Sequence, residues 1–553
     1  MKPSIKTAGI FIIFTGISVF IFSCKKLSEN PQSSLTPDEF FQTQADAISA
    51  VTSVYSTLVT DINNDFPIYG RNLNLLIDNT SDEEQYSPSN TNPDVRALGT
   101  ATYVNTNDRV HKIYAQLYWG IDKANLAIDG IQTIPDNLFT NYNKNNLIRE
   151  ARFIRALYYF NLVRLFGGVP LVLHDANTIA NANNLPSRTS KDSVYLQIIE
   201  DLDSATNLPA TQAGANTGRV TSGAAYALLG KVYATKHDWA DAATALKKVI
   251  TVGTAGLSGT GNYGYDLFPK YSDIFLPASK NGKEHIFSAQ FNANIGGGFT
   301  ATSTLSGFSW SNAAYLADVP WPLTTDANAL PVKLFNINDQ RRSATFYDSL
   351  FNSSTNAWVK WPYFNYLKWV DLSVGFTSTL TGSSQANAKV NFPVIRYTDV
   401  LLLYAEVLNE INNGPTAEAY AAINIVRARA YAPITLYDPK TVSFSSYNYS
   451  SNGNYTDHTF DLSGLNYLQF KDSVYEERNR ELFFEANRWF DLVRRVPDAE
   501  YASGQFYLTK VQAQYGNPKA SASLKDTLFP IPYTEIQLYQ ASGKTYPQNP
   551  GWE

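Results

Sequence analysis

Apolar residues recur at three- and four-residue steps through residues 473–496, where Leu482, Ala486, Trp489, Phe490 and Val493 fall on one helical face. Phe483 and Phe484 widen that face, and Pro497 stops it. The pattern predicts one long amphipathic helix. Its other face is densely charged, with Glu476–Arg480 and Asp491–Arg495 spaced i,i+4, and Glu485–Arg488 and Asp491–Arg494 spaced i,i+3. Such pairs contribute only about 0.2–0.5 kcal/mol each when exposed. They read as a solvated or inter-helix salt-bridge face rather than as acid–base catalysts.

The same periodicity, with its start and stop signals, predicts the other helices. Thr36-Pro37-Asp38-Glu39 supplies an N-cap, an N1 proline and an N3 glutamate for a helix running to about Thr60. The segment 61–100 is rich in Asn, Asp and Pro and reads mostly as loop. Helices follow at about 104–132 and 142–166, the second closed by Gly167-Gly168, and then at 190–207, 221–236 and 238–251. In the last two, Tyr226, Leu229, Gly230 and Tyr233, then Ala242, Leu246 and Val249, fit the tetratricopeptide pattern. Its small residues let two helices approach closely. Residues 397–430 repeat the pattern less well, with Ala405, Leu408, Ala417 and Ala421 around an Asn413-Gly414-Pro415 turn. Between the two pairs lies a loop-rich insertion, 253–395, with strand candidates at 284–291 and 391–397. A short helix near 533–540 sits in a proline-rich closing segment. The predicted fold is mainly α, a tetratricopeptide-like helical-pair scaffold with a loop-rich insertion containing a few short strands.

The chain has 553 residues, 44% of them hydrophobic and 17% charged, which marks a globular chain rather than a disordered one. A formal net charge of −5, without a long Lys/Arg run, argues against a nucleic-acid partner. Residues 1–23 read as a targeting segment: Lys2 and Lys6, then an apolar run from Ile10 to Phe22, too short for a typical span. Cys24, the only cysteine, follows at once, and Ile21-Phe22-Ser23-Cys24 resembles a bacterial lipobox. Cleavage would leave Cys24 as a lipidated N-terminus and a lipid anchor as the sole membrane attachment. The expected division is a signal peptide at 1–23, an N-terminal helical part at 24–252, the insertion at 253–395 and a C-terminal helical part at 396–553.

Enzymatic motifs are sparse. His111, His174, His237, His285 and His458 are scattered without metal-ligand spacing, and no sequence matches GxSxG or a phosphate-binding GxxxxGK[ST] loop. No cofactor or metal is expected. Asp82-Glu83-Glu84, an acidic cluster in a loop, reads as a solvated turn. A binding role fits the aromatics better. They make up 14% of the chain, and Trp310, Trp321, Trp358, Trp361 and Trp369 concentrate in the insertion. A sugar ring offers an apolar C–H face on which Trp and Tyr stack and a rim of hydroxyls for Asn, Asp, Gln and Arg. Two loop regions offer both, 69–103 with Tyr69, Arg71, Asp78, Asp82, Tyr86, Asn90, Asn92 and Tyr103, and 308–321 with Trp310, Asn312, Tyr315 and Trp321. Trp310, Tyr315 and Trp321 are the expected stacking residues, with Tyr86 and Arg71 facing them and Asp82 as a hydroxyl partner.

EERNRELFFEANRWFDLVRR resembles the C-terminal signature of the SusD/RagB family. Further resemblances lie at Cys24, 149–173, 284–291, 392–430 and 528–552, the last containing LFPIPYTEIQLYQ and YPQNPGWE. The resemblance implies a nutrient-binding lipoprotein of the Bacteroidetes outer membrane, surface-exposed and not an enzyme. It implies capture of an oligosaccharide and its delivery to a TonB-dependent SusC-like transporter, with ligand residues drawn from the corresponding loops. Lys25 and Lys26 after the anchor leave the membrane face open. Arg149, Arg152 and Arg155 are expected to pair with carboxylates of neighbouring helices. A peptide-binding RagB-like member, a lipid-anchored glycoside hydrolase and a protein-interaction scaffold stay open as alternatives.

Overall fold

Polar caps set where the helices begin. In the computed structural model, which describes residues 37–60, 67–83, 92–174, 185–254, 256–291, 334–352, 355–366, 368, 390–432, 458–497, 508, 510–511 and 519–553, most helices open on Asn, Ser, Thr or Asp. The first expected helix is two. A single turn, α1 (Pro37–Phe40), belongs to an N-terminal unit ending at Gln42. A second unit, Thr43–Glu553, begins with α2 (Gln44–Ser56). Here Thr43 and Asp46 form a reciprocal capping box, with Asp46 accepting the Thr43 N–H at 2.7 Å. That local start signal outcompetes continuation from Pro37.

The segment 61–100 is not mostly loop. Within it a π-helical turn, Ile68–Asn72, leads into α3 (Leu73–Thr80), and Asn92 caps α4 (Pro93–Gly99). All eight residues of α3 are buried, and its polar side chains are held internally, as where Asn74 Nδ2 donates to Asp78 Oδ2 at 3.0 Å. Asn and Asp that signal loops on a surface serve here as buried hydrogen-bonding groups.

The scaffold then runs through α5 (Asp108–Thr133), α6 (Lys144–Phe166), α7 (Lys191–Ala205), α8 (Ser222–Lys236) and α9 (Trp239–Val249), each packed on the next or joined to it by a short turn. The tetratricopeptide reading of α8 and α9 explains their approach: a Cβ on Gly230 would lie 2.5 Å from Leu246 Cδ2. After the insertion come α11 (Tyr397–Asn412) and α12 (Ala417–Tyr431), joined through left-handed Asn413, and α13 (Tyr467–Glu481). Helix α9 packs directly on α11, and α11 on α13. The two helical pairs, far apart in sequence, therefore adjoin in space, and the insertion leaves and re-enters the stack between them.

Within the insertion, β1 (His285–Ala289) pairs antiparallel with β4 (Phe392–Arg396), close to the expected bounds. A short helix, α10 (Gln340–Thr345), precedes a second antiparallel hairpin, β2 (Phe346–Asn352) and β3 (Ala357–Tyr366), which the sequence reading does not include. Its alternation is obscured by the Asn-Ser-Ser-Thr-Asn run at 352–356.

The long C-terminal helix is also two. Helix α13 ends at Glu481, α14 (Arg488–Arg494) starts seven residues later, and Phe484 (φ 62°) and Ala486 (φ 54°) between them are left-handed. Buried carboxylates take the N–H groups that a continuous helix would use: Glu83 accepts from Phe484 and Asp78 from Ala486, both at 3.1 Å. Within α14, Trp489 is fully buried against Phe529, with ring centroids 5.1 Å apart. The closing segment, with α15 (Tyr533–Ala541), brings Phe529 and Trp552 onto Tyr103 at 5.4 and 5.0 Å. Among the described residues, no helix is long and apolar enough to cross a membrane.

Candidate functional site

The charges of the C-terminal signature lie in the interior rather than on a solvated face. Glu481 Oε1 accepts from Arg396 Nη1 at 3.0 Å and Arg429 Nη2 at 2.5 Å, while its Oε2 accepts from Arg341 at 3.0 Å. Glu485 binds Arg396 and Lys368, and Glu284, at the start of the insertion's first strand region, binds Arg396 and Arg429. Burial pushes the Glu481 carboxyl up, but Arg429, Arg396 and Arg341 outweigh it and hold the group down to about 2. Every guanidinium here faces a carboxylate in fixed geometry, as a buried charge requires. These groups form a scaffold joining the insertion to the C-terminal helices, because none of them is presented to solvent. Of the expected local pairs only Asp491–Arg494 forms, at 3.2 Å; Arg480 turns to Glu477, Arg495 to Asp472 and Arg488 to Asp82. Of the three α6 arginines expected to pair with carboxylates, Arg155 makes a two-pronged pair with Asp201 of α7, whereas Arg152 bonds the Ser204 hydroxyl and Arg149 the Asn146 amide.

The acidic cluster at Asp82 and Glu83 is correspondingly no solvated turn. Arg488 donates to both Asp82 oxygens at 2.7 Å, which holds that carboxyl below its usual range although burial opposes it. A sugar hydroxyl would have to compete with this guanidinium for Asp82. Arg71 is buried on the π-helical turn. Other residues of the first loop region are core groups: Tyr69 is buried, with its hydroxyl accepting from Asn161 Nδ2 at 2.9 Å, and Tyr103 packs under the closing segment. Tyr86, Trp310, Tyr315, Trp321 and Cys24 lie outside the described residues.

The hairpin β2–β3 adds an aromatic that the expected site left out. Trp358, opposite Phe351 in the register, is 48% exposed, unusual for a tryptophan. Its place among the five insertion tryptophans is the signal that could have singled it out. Among the described residues, no three His, Cys, Asp or Glu side chains converge to hold a metal ion. A cleft partly open to solvent lies where α6, α7, α8 and α14 meet.

Two family profiles match the chain in succession: one described as "Starch-binding associating with outer membrane" over residues 27–234, and one described as "SusD family" over residues 299–552. A SusD-like protein of Formosa agariphila is 27% identical, with 98% of this chain and 99% of that protein covered. The fold is similar to that of a SusD homolog from Bacteroides thetaiotaomicron, with a TM-score of 0.68, 24% identity, and 93% and 98% of the two chains covered. It is also similar to surface glycan-binding protein A from Bacteroides thetaiotaomicron, solved in complex with laminarihexaose, with a TM-score of 0.64, 20% identity, and 92% and 100% covered.

Proposed function

Since this chain belongs to the SusD/RagB family, we propose that it binds an oligosaccharide at the outer membrane and delivers it to a TonB-dependent SusC-like transporter. The observation that carries this reading is the family match along nearly the whole chain, supported by a neighbour of the same fold that holds a laminarihexaose. In this reading Cys24 is lipidated and tethers the protein to the outer membrane. Tyr86, Trp310, Tyr315 and Trp321 stack on sugar rings, and the exposed Trp358 extends the aromatic surface. Arg71 and Asp82, both in the interior, support the first loop from beneath rather than meeting the sugar directly. The protein holds its ligand without turning it over.

The test is a binding screen of glucans, other glycans and peptides on the mature chain, with product analysis after long incubation and fractionation of Cys24→Ala in cells. The expected result is saturable binding of at least one glycan class, unchanged glycan after incubation, and release of the variant from the processed membrane fraction. Binding of peptides alone, or glycan cleavage, overturns the proposal.

A further inference from the structure

The cleft where α6, α7, α8 and α14 meet is lined with more positive than negative charge. Two of its cations are neutralised by the scaffold: Arg478 by Asp399 and Asp491, and Arg494 by Glu406 and Asp491. A third, Lys231, donates to Asp399 Oδ2 at 2.8 Å and to Asn487 Oδ1 at 2.9 Å.

Arg164 is different. Its guanidinium is sandwiched between two rings, 3.9 Å from the centroid of Phe160 and 3.6 Å from that of Phe490. Nε donates to the Phe160 carbonyl at 3.2 Å and Nη2 to Asn161 Oδ1 at 2.6 Å, both neutral acceptors. Those bonds use two of five N–H donors. Among the described residues Arg164 has no ion pair; burial pushes its pKa down to about 10, opposed by Tyr69, Tyr195 and the more distant Asp399 and Asp491. Lys191 stands beside it on the cleft wall, exposed, its Nζ 5.9 Å from the Tyr195 ring, likewise with no ion pair among the described residues.

Arg164 and Lys191 are therefore the cleft cations without an ion pair among the described residues, whereas Arg341, Arg396, Arg429, Arg478 and Arg488 all face carboxylates. We propose that the cleft binds a small oxyanion-bearing molecule, a carboxylate or a sulfate, with Arg164 as the anchoring cation and Lys191 at the mouth. The planar fork of Arg164 matches two oxygens of either group. Tyr195 and Phe490 supply aromatic wall to the cleft. This site uses none of the loop aromatics of the proposed glycan site and does not rest on that reading.

The rival counter-ion is a carboxylate of this chain outside the described residues, such as Asp498 or Glu500 just past Pro497. The two are separated by calorimetric titration of the mature chain with glucuronate, sulfate and glucose, paired with melting curves. Glucuronate or sulfate should saturate at low salt, weaken as salt rises and raise Tm, whereas glucose should do neither. The arm that saturates identifies the oxyanion. Arg164→Gln should weaken binding at least about tenfold, the loss of one charge-assisted contact, and abolish the Tm response. Lys191→Gln, at an exposed position, should melt as wild type does without ligand yet bind several-fold more weakly, so the proposal stays testable if Arg164→Gln fails to fold. No saturation by either oxyanion, equal binding of glucose, or binding unchanged in Lys191→Gln and in folded Arg164→Gln overturns it.

Discussion

Asp82 and Arg488, 406 residues apart in the chain, meet in a two-pronged ion pair with both N–O distances at 2.7 Å. Removing one partner leaves the other buried and unpaired, which costs about 3–5 kcal/mol. Arg488→Ala should therefore lower the urea midpoint strongly, and Arg488→Lys should recover only part of it, because an ammonium cannot span both oxygens. A double change to Asp82→Asn with Arg488→Gln should cost less than the sum of the single changes. Additive losses would show that the pair is not a coupled unit.

The neighbouring carboxylate predicts an unusual pH profile. Burial pushes Asp78 up to about 8, although bonds from Asn74 and Ala486 and the Lys368 charge oppose it. An unfolded aspartate titrates near about 3.9. Between those values the folded protein keeps a proton that the unfolded chain has lost, so this group's contribution to stability falls as pH rises through the window. Glu481 works in the opposite sense at the acid end: held down to about 2, it contributes stability above the ordinary glutamate range and loses it as pH falls toward 2. Urea midpoints of wild type should decline from mildly acidic pH toward pH 8, and Asp78→Asn should flatten that decline. Parallel profiles for the two proteins would refute the assignment.

Packing predictions concern two positions. Trp489→Ala empties a fully buried volume beside Phe529 and should cost about 3–5 kcal/mol. Gly230→Leu puts side-chain atoms where Leu246 already lies and should cost about 1–3 kcal/mol or more. Thermal melts measure both, and an unchanged Tm in either would contradict the packing described.

Much of the helical scaffold was legible because its helices carry caps and regular apolar spacing, as at Asn107 before α5 and Gly167 after α6. The break at 482–487 was not. Leu482, Ala486 and Trp489 keep helical spacing through it, and what ends the helix is a pair of carboxylates supplied from positions 78 and 83. The same long-range logic hid α3, whose Asn and Asp residues look like loop signals until their partners are known. Periodicity reports local geometry, whereas a charge such as Glu481 is assigned inside or outside only by arginines from elsewhere in the chain. The spacing of the signature therefore suggested a salt-bridge face but not that the face is buried.

The aromatic site is tested by truncation. Trp310→Ala and Trp321→Ala should each cost about 1–3 kcal/mol of affinity for a bound glycan while leaving Tm nearly unchanged, because stacking platforms are exposed before ligand arrives. Trp358→Ala should likewise leave Tm nearly unchanged, since the side chain is already half in solvent. Early melting of Trp310→Ala and Trp321→Ala would place those rings in the core. Loss of affinity in Trp358→Ala alone would move the site to the hairpin.

The left-handed turn also constrains the order in which the molecule can be finished. Phe484 and Ala486 depend on acceptors 401 and 408 residues earlier in the chain. During synthesis the early helices emerge long before the segment that occupies Asp78, Glu83 and Asp82. Contacts of such separation form late and slow folding, whatever the stability of the finished product. Until then three carboxylates remain hydrated at what will become an interior surface, and the early part of the stack stays unsealed. The element that locks the body is thus among the last to emerge, and the early helices wait for it.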